Sequence, residues 1–271
     1  EKEYVRAHDF RRYLHKNLED FIIETPLENS LELLNNKFDQ SQIKTVQEKW
    51  KPYNFKNQNI DDFLQNLNID KTVEISSING GYSNALKQLN KFIDNGYEDY
   101  AKFSSNPSKE ASSQLSPYFH SGQISTHEVF EKISNLESWT LESIDPKMVG
   151  RREGWWGSTE NFESFMDELI TWRELGYHTC VRRANYDQYS SLPEWAIKTL
   201  TEHSSDEREH IYSLDELTYS QTHDEIWNAA QNQLRTQGII QNYLRMLWGK
   251  KILEWTPNPQ IALSYMITLN D

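Results

Sequence analysis

Apolar residues recur every three or four positions along most of this chain, the spacing that lines one side of an α-helix. Residues 4–23 (YVRAHDFRRYLHKNLEDFII) read as one such helix. Residues 44–79 read as an irregular connector of Asn, Lys and short apolar runs, closed by Gly80 and Gly81. From Tyr82 onward the helix starts are well marked. Ser125 with Glu128, Ser213 with Glu216 and Thr222 with Glu225 each fit the capping box, in which a hydroxyl and a carboxylate three residues later satisfy orphan amides reciprocally. Pro193 suits the first turn of another helix, and Gly238 is placed to end one. Strand-like alternation is scarce and no internal repeat is present, so the predicted fold class is all-α, with a connector over residues 1–79 and a helical domain over 80–271.

Two of these helices carry a second patterned face. Over residues 239–255 the stripe Leu244, Leu247, Trp248, Lys251, Ile252 and Trp255 predicts a core side. Opposite it fall Asn242, Arg245, Met246 and Gly249, a set too mixed for a solvated face and too polar for a core, as expected of a cavity wall where glycine admits a ligand or a backbone. In NFESFMDELITWRELG the core stripe is Phe162, Phe165, Met166, Leu169, Ile170 and Arg173, while Glu168 and Trp172, four apart, share an adjacent face. A carboxyl beside an aromatic plate can bond the edge of a flat heterocycle while the plate stacks on it. Pattern alone favours ordinary boundary positions for this pair and plain core packing for Trp248 and Trp255, and it serves a surface charge at Arg245 as well as a cavity group.

Composition narrows the classes. The 271 residues carry a formal charge of -13, which argues against nucleic-acid binding through overall electrostatics. Any anionic partner must meet a local basic patch. One exists: Arg235, Arg245, Lys250 and Lys251 lie between Ile226 and Leu253 with no acid among them, and KMVGRR at 147–152 adds three more cations. Cys180 is the sole cysteine, so neither an internal disulfide nor a cysteine-built metal centre can form from this chain; no metal is expected, and a cytoplasmic, reducing compartment is the default. No run of 18 apolar residues and no signal peptide is present, so no membrane partner is expected. Nine Trp and 14 Tyr suit a core, an interface or a base-stacking surface.

Six blocks in order carry a resemblance: SSQLSPYFHSGQIS (112–125), REGWWG (152–157), DELITWRELG (167–176), YDQYSSLPEWAIKTL (186–200), THDEIWNAAQNQL (222–234) and NYLRMLWGKKILEW (242–255). They resemble the photolyase and cryptochrome flavoproteins, most closely the class II cyclobutane pyrimidine dimer photolyases, over residues 80–271. The resemblance implies FAD in a U shape within a helical domain, beneath a cavity for damaged DNA. Carried over by position, Tyr100 and the run Ser112, Ser113, Gln114, Leu115 and Ser116 would hold its phosphate and ribityl part, Arg245 would lie against the ring, and Asn270 would face the flavin N5. Glu168 would contact the flipped dimer, with Trp172 stacking on it, Met246 beneath it, and Asn242 matching an asparagine of the related class I motif. A relay of tryptophans is implied too, with Trp248 nearest the flavin, Trp227 in the middle and Trp255 outermost.

The implied activity is light-driven repair of pyrimidine dimers by electron transfer from reduced FAD, in a monomer acting on damaged DNA. The same resemblance implies that a parent architecture includes a preceding α/β antenna domain and a following helical segment. Ser104 and Ser105 stand where class II enzymes usually carry Arg and Asn near the DNA, and Gln241 replaces a common histidine. Two alternatives remain open: a cryptochrome-like blue-light receptor that keeps the flavin and the relay without repair, and a cofactor-free helical binding module.

Overall fold

The structure is a computed structural model, and it describes residues 3–4, 6–23, 40–52, 59–69, 71, 73 and 75–270. Residues 24–39 and 53–58 of the expected connector lie outside the described ones. The chain forms two compact units. One comprises Glu1–Glu24 with Ile75–Asp271, and the other is Thr25–Glu74. Helix α1 (Ala7–Ile23) therefore belongs to the same unit as the residues after 75. In the smaller unit, two helices are described: α2 (Gln40–Lys49) and α3 (Ile60–Gln65), the latter capped by Asn59, whose side chain accepts from the Asp61 amide.

Among the described residues the larger unit is helical, without strands. It holds two apolar cores. The first gathers α4 (Tyr82–Asn95), α5 (Tyr100–Phe103), α6 (Ser116–His120), α7 (Thr126–Leu136) and α8 (Glu160–Met166), and Leu18 of α1 joins it. Its centre is aromatic. Trp139 stacks on Phe162 at 5.6 Å, Trp155 meets Trp156 edge-on at 4.8 Å, and the Trp139 indole donates to the Trp156 carbonyl. Large offset and edge-to-face rings bury area while respecting their quadrupoles. The second core is built by α11 (Leu214–Thr218), α12 (Glu225–Gln237), α13 (Asn242–Glu254) and α14 (Pro259–Asn270) around Trp227, Trp248, Ile252 and Trp255. Helices α9 (Arg173–Arg182) and α10 (Glu194–Glu202) contribute no fully buried side chain. No helix among the described residues is long and apolar enough to cross a membrane.

The turn of residues 154–158 shows why glycine is required there. Gly157 sits at φ +62°, and a Cβ on it would lie 1.9 Å from the Ser143 carbonyl oxygen. The turn closes around buried Glu163. Backbone amides of Trp156, Ser158, Gly154 and Gly157 face its carboxyl and favour the charged form, but burial outweighs them and raises it above the ordinary carboxylate range.

The helix starts differ from the sequence reading in two of three cases. Ser213 and Glu216 do form the full capping box of α11. Ser125 caps α7, yet Glu128 turns away to accept from the Tyr82 hydroxyl. Helix α12 is capped by Asp224, which accepts from the amides of Ile226 and Trp227. Thr222 instead bonds Asn228, because a carboxylate one residue before the helix reaches two amides at once. Gly238 ends α12 in the left-handed region at φ +70°, and Pro193 immediately precedes α10.

Candidate functional site

Helices α8 and α9 are one continuous rod interrupted by a wide π-turn, Asp167–Trp172. Thr159 starts the rod by accepting from the Phe162 amide, and Phe162, Phe165, Met166 and Leu169 anchor one side in the first core. Arg173, expected in that stripe, is half exposed and pairs with Glu174 instead. The turn divides its polar residues between two sides. Asp167 and Thr171 are buried, whereas Glu168 is exposed and Trp172 is 48 % exposed. π-turns within α-helices recur at functional sites, since the extra residue re-aims the side chains beyond it.

Loss of water around the Glu168 carboxyl raises it above the ordinary range, and the neighbouring Asp167 charge adds to this; Arg152 and Arg11 act in the opposite direction. Tyr100 lies close enough to feel both carboxyls. Burial, then Glu168 and Asp167, raise its phenol above the ordinary value, and its ring packs edge-on against Phe165 at 5.2 Å.

The run Ser112–Ser116 leads into α6. Gln114 occupies φ +54°, the Ser113 carbonyl accepts from Gln88 Nε2 at 3.0 Å, and Leu115 is fully buried, so Leu115 has only its backbone to offer a ligand. Ser112 and Gln114 line a cleft of about 130 Å³ with Gln88, Lys91, Asn95 and Glu110.

On α13, Gln241 caps the N-terminus, accepting from the Leu244 amide while its Nε2 donates to the Ser104 carbonyl at 2.8 Å. Asn242, Arg245 and Met246 are exposed. Gly249 faces the Met266 sulfur of α14, which a Cβ would meet at an ordinary 3.4 Å, so this helix contact does not itself require glycine. Leu247, expected in the core stripe, is also exposed. Arg245 Nη1 donates to Asn270 Oδ1 at 3.3 Å.

The structure brings the three indoles together. Trp227 and Trp248 lie parallel within 1°, with centroids 6.3 Å apart, and Trp227 meets Trp255 at 5.6 Å and 67°. Trp227 Nε1 donates to the Trp248 carbonyl, and Trp248 Nε1 to Gln231 Oε1 at 2.8 Å. The outermost place expected for Trp255 does not put it at the surface. It is 1 % exposed, beneath the rings of Tyr212 and His223 at 5.5 and 5.2 Å.

The donor set suits a dinucleotide flavin: hydroxyls and amides at Ser112–Ser116, and a guanidinium at Arg245 with Asn270 as its sole hydrogen-bond acceptor among the described residues. Trp248 lies one turn further along the Arg245 helix. Among the described residues no hydrogen bond or ring contact joins the Ser112–Ser116 run to Arg245 or Asn270. Three participants escaped the sequence reading. Gln231 is buried against Trp248, and the buried pair Arg11 and Asp167 lies beneath Glu168. The doublet Arg11–Arg12 in an amphipathic helix and the Asp–Glu doublet were the available signals.

No family model matches the chain. It is 36 % identical over 206 residues to the deoxyribodipyrimidine photo-lyase of Potorous tridactylus, covering 76 % of this chain and 35 % of the relative. It is also 36 % identical over 211 residues to that of Methanothermobacter thermautotrophicus, covering 78 % and 42 %. A shorter stretch of 51 residues, 19 % of this chain and 8 % of the relative, is 49 % identical to cryptochrome-2 of Arabidopsis thaliana. The chain thus spans about two fifths or less of these relatives' length. With matches to photolyases over three quarters of its residues, and with the ordered blocks lying on this helical body, the chain belongs to the photolyase and cryptochrome family.

Proposed function

We propose that the chain carries the flavin-binding and lesion-binding part of a class II-like photolyase, which repairs cyclobutane pyrimidine dimers in DNA with light. FAD, when bound, supplies light absorption and the electron that opens the cyclobutane ring. The residues of this chain bind, orient and insulate. Hydroxyls and amides of Ser112–Ser116 would take the phosphate and ribityl part, and Arg245 with Asn270 would take the polar edge of the ring. Glu168 would hydrogen-bond the flipped pyrimidine, donating to a carbonyl when protonated and accepting from a ring N–H when ionised. Trp172 and Met246 would give that base apolar surface, and Asn242 a polar neighbour. Flipping costs a few kcal/mol, and less at a damaged, poorly paired site. Trp248, Trp227 and Trp255 would pass electrons through the second core in short hops, each faster than one long jump because tunnelling falls off exponentially with distance.

The observation that carries the repair reading is the open pair Glu168 and Trp172 on one π-turn, with the carboxyl held toward its neutral form. A light receptor needs the indoles but has no use for that pair. The test is illumination of the reduced, FAD-loaded chain with an oligonucleotide containing one thymine dimer. Loss of the dimer in light and not in darkness is expected. Bound flavin with no loss of dimer would move the assignment to a receptor, and failure to bind FAD would leave a helical binding module.

A further inference from the structure

Arg11 lies on α1, far from the site in sequence, yet its guanidinium grips Asp167 with both arms: Nε to Oδ1 at 2.8 Å and Nη2 to Oδ2 at 2.9 Å. Both side chains are buried, at 8 % and 5 % exposure. Asp167 opens the π-turn and immediately precedes Glu168. Helix α1 is fixed at a second point one turn further on. His15 stacks on Trp155 at 3.7 Å, and its Nδ1 accepts from the Gly150 amide at 3.1 Å. Arg152, on the same loop, approaches Asp167 to 4.0 Å from the solvent side.

Residues four apart share a face of an α-helix already. The extra residue of a wider turn changes the direction in which the side chains beyond it point. Such a turn is intrinsically less favourable than α-helix, so something outside it must hold it. A fork bound to the first residue of the turn, in a site without competing water, can do this.

We propose that Arg11 is a positioning residue for the lesion site: by gripping Asp167 it holds the π-turn that fixes the direction in which Glu168 and Trp172 point. This rests on the reading of Glu168 as the dimer contact. Besides Asp167, the charged or titratable groups around Glu168 are Arg11, Arg152 and Tyr100, with His15 behind Arg11.

Removing Arg11 alone leaves a buried, unpaired carboxylate and can unfold the protein. The informative variant is therefore Arg11→Met with Asp167→Leu, an apolar pair of similar volume that such sites often tolerate. In the FAD-loaded chain, Glu168→Gln is expected to lower the preference for a dimer-containing oligonucleotide over its undamaged twin by about tenfold, one well-placed hydrogen bond. In the Arg11→Met, Asp167→Leu background the same change is expected to cost less than about twofold, because Glu168 is already misplaced. Equal losses in both backgrounds would overturn the proposal. Without DNA, amide exchange at residues 168–172 is expected to quicken in the double variant while α12 stays protected; unchanged protection at 168–172 overturns the proposal as well. If Glu168→Gln leaves dimer preference untouched in the native chain, the reading of Glu168 as the dimer contact fails, and the exchange measurement still decides whether Arg11 holds the turn.

Discussion

The indole of Trp227 lies flat against that of Trp248, within 1° of parallel, and donates its N–H to the Trp248 backbone carbonyl at 3.2 Å. Two neighbouring helices are thereby locked in a register that also carries Trp255 into edge contact. Trp227→Phe keeps an aromatic ring but interrupts the indole series. Light-driven reduction of oxidised flavin is expected to be largely lost, while a chain reduced chemically beforehand repairs dimers at the native rate. Stability should fall by about 1–2 kcal/mol from the smaller ring and lost bond. Transient absorption and a denaturant midpoint read the two effects, and a native rate of photoreduction would remove Trp227 from the relay.

Glu168 should weaken the fold at neutral pH. Its carboxyl holds its proton above the ordinary range in the folded chain. As pH climbs from the unfolded value toward the raised folded one, the unfolded chain has released a proton that the folded chain still binds, so stability falls across that window and then levels. Glu168→Gln is expected to melt above the native protein at pH 7 and level with it near pH 4. An identical difference at both values would contradict this.

His15 works in the opposite sense. Burial, and then the Arg11 charge, pull its pKa from 6.5 down to about 4, with Asp167 opposing. Protonation would also break the bond that Nδ1 accepts from Gly150. Between about 6.5 and 4 the unfolded chain binds a proton that the folded chain refuses, so stability is lost as pH falls through that interval, by about 1–2 kcal/mol after solvent screening. Urea midpoints at pH 7 and pH 4.5 measure it, and His15→Gln should flatten the dependence.

Gly157→Ala is expected to cost about 3 kcal/mol or more, or to prevent folding, since the new methyl carbon meets the Ser143 carbonyl at 1.9 Å and φ is positive. Gly122→Ala, also at positive φ but in open space, should cost far less. Thermal melts of the two variants compare them directly, and similar losses would mean that the conformation and not the collision dominates.

Helical periodicity was enough to find the fold class, because Phe162, Phe165 and Met166 or Trp248, Ile252 and Trp255 recur at spacings that only a helix turns to one side. It placed the helix ends less well. Thr222 and Asp224 are both good caps, and which one serves depends on whether Asn228 competes for the threonine. Leu247 shows the converse limit: apolar and in step with the stripe, it is exposed because neighbouring helices cover only part of α13. The mixed chemistry of Asn242, Arg245 and Met246 did mark a side of α13 that is not core: all three are exposed. Arg11 was not, since its partner lies 156 residues away and no local pattern encodes so distant a pairing.

The Arg11–Asp167 and His15–Trp155 contacts join residues of one unit that Thr25–Glu74 separate along the chain, so forming them closes a long covalent loop. The entropic cost of such a closure rises only slowly with the number of residues enclosed, about 0.6 kcal/mol per doubling for a flexible chain. A single cut between the two ends would turn that first-order reunion into a bimolecular one.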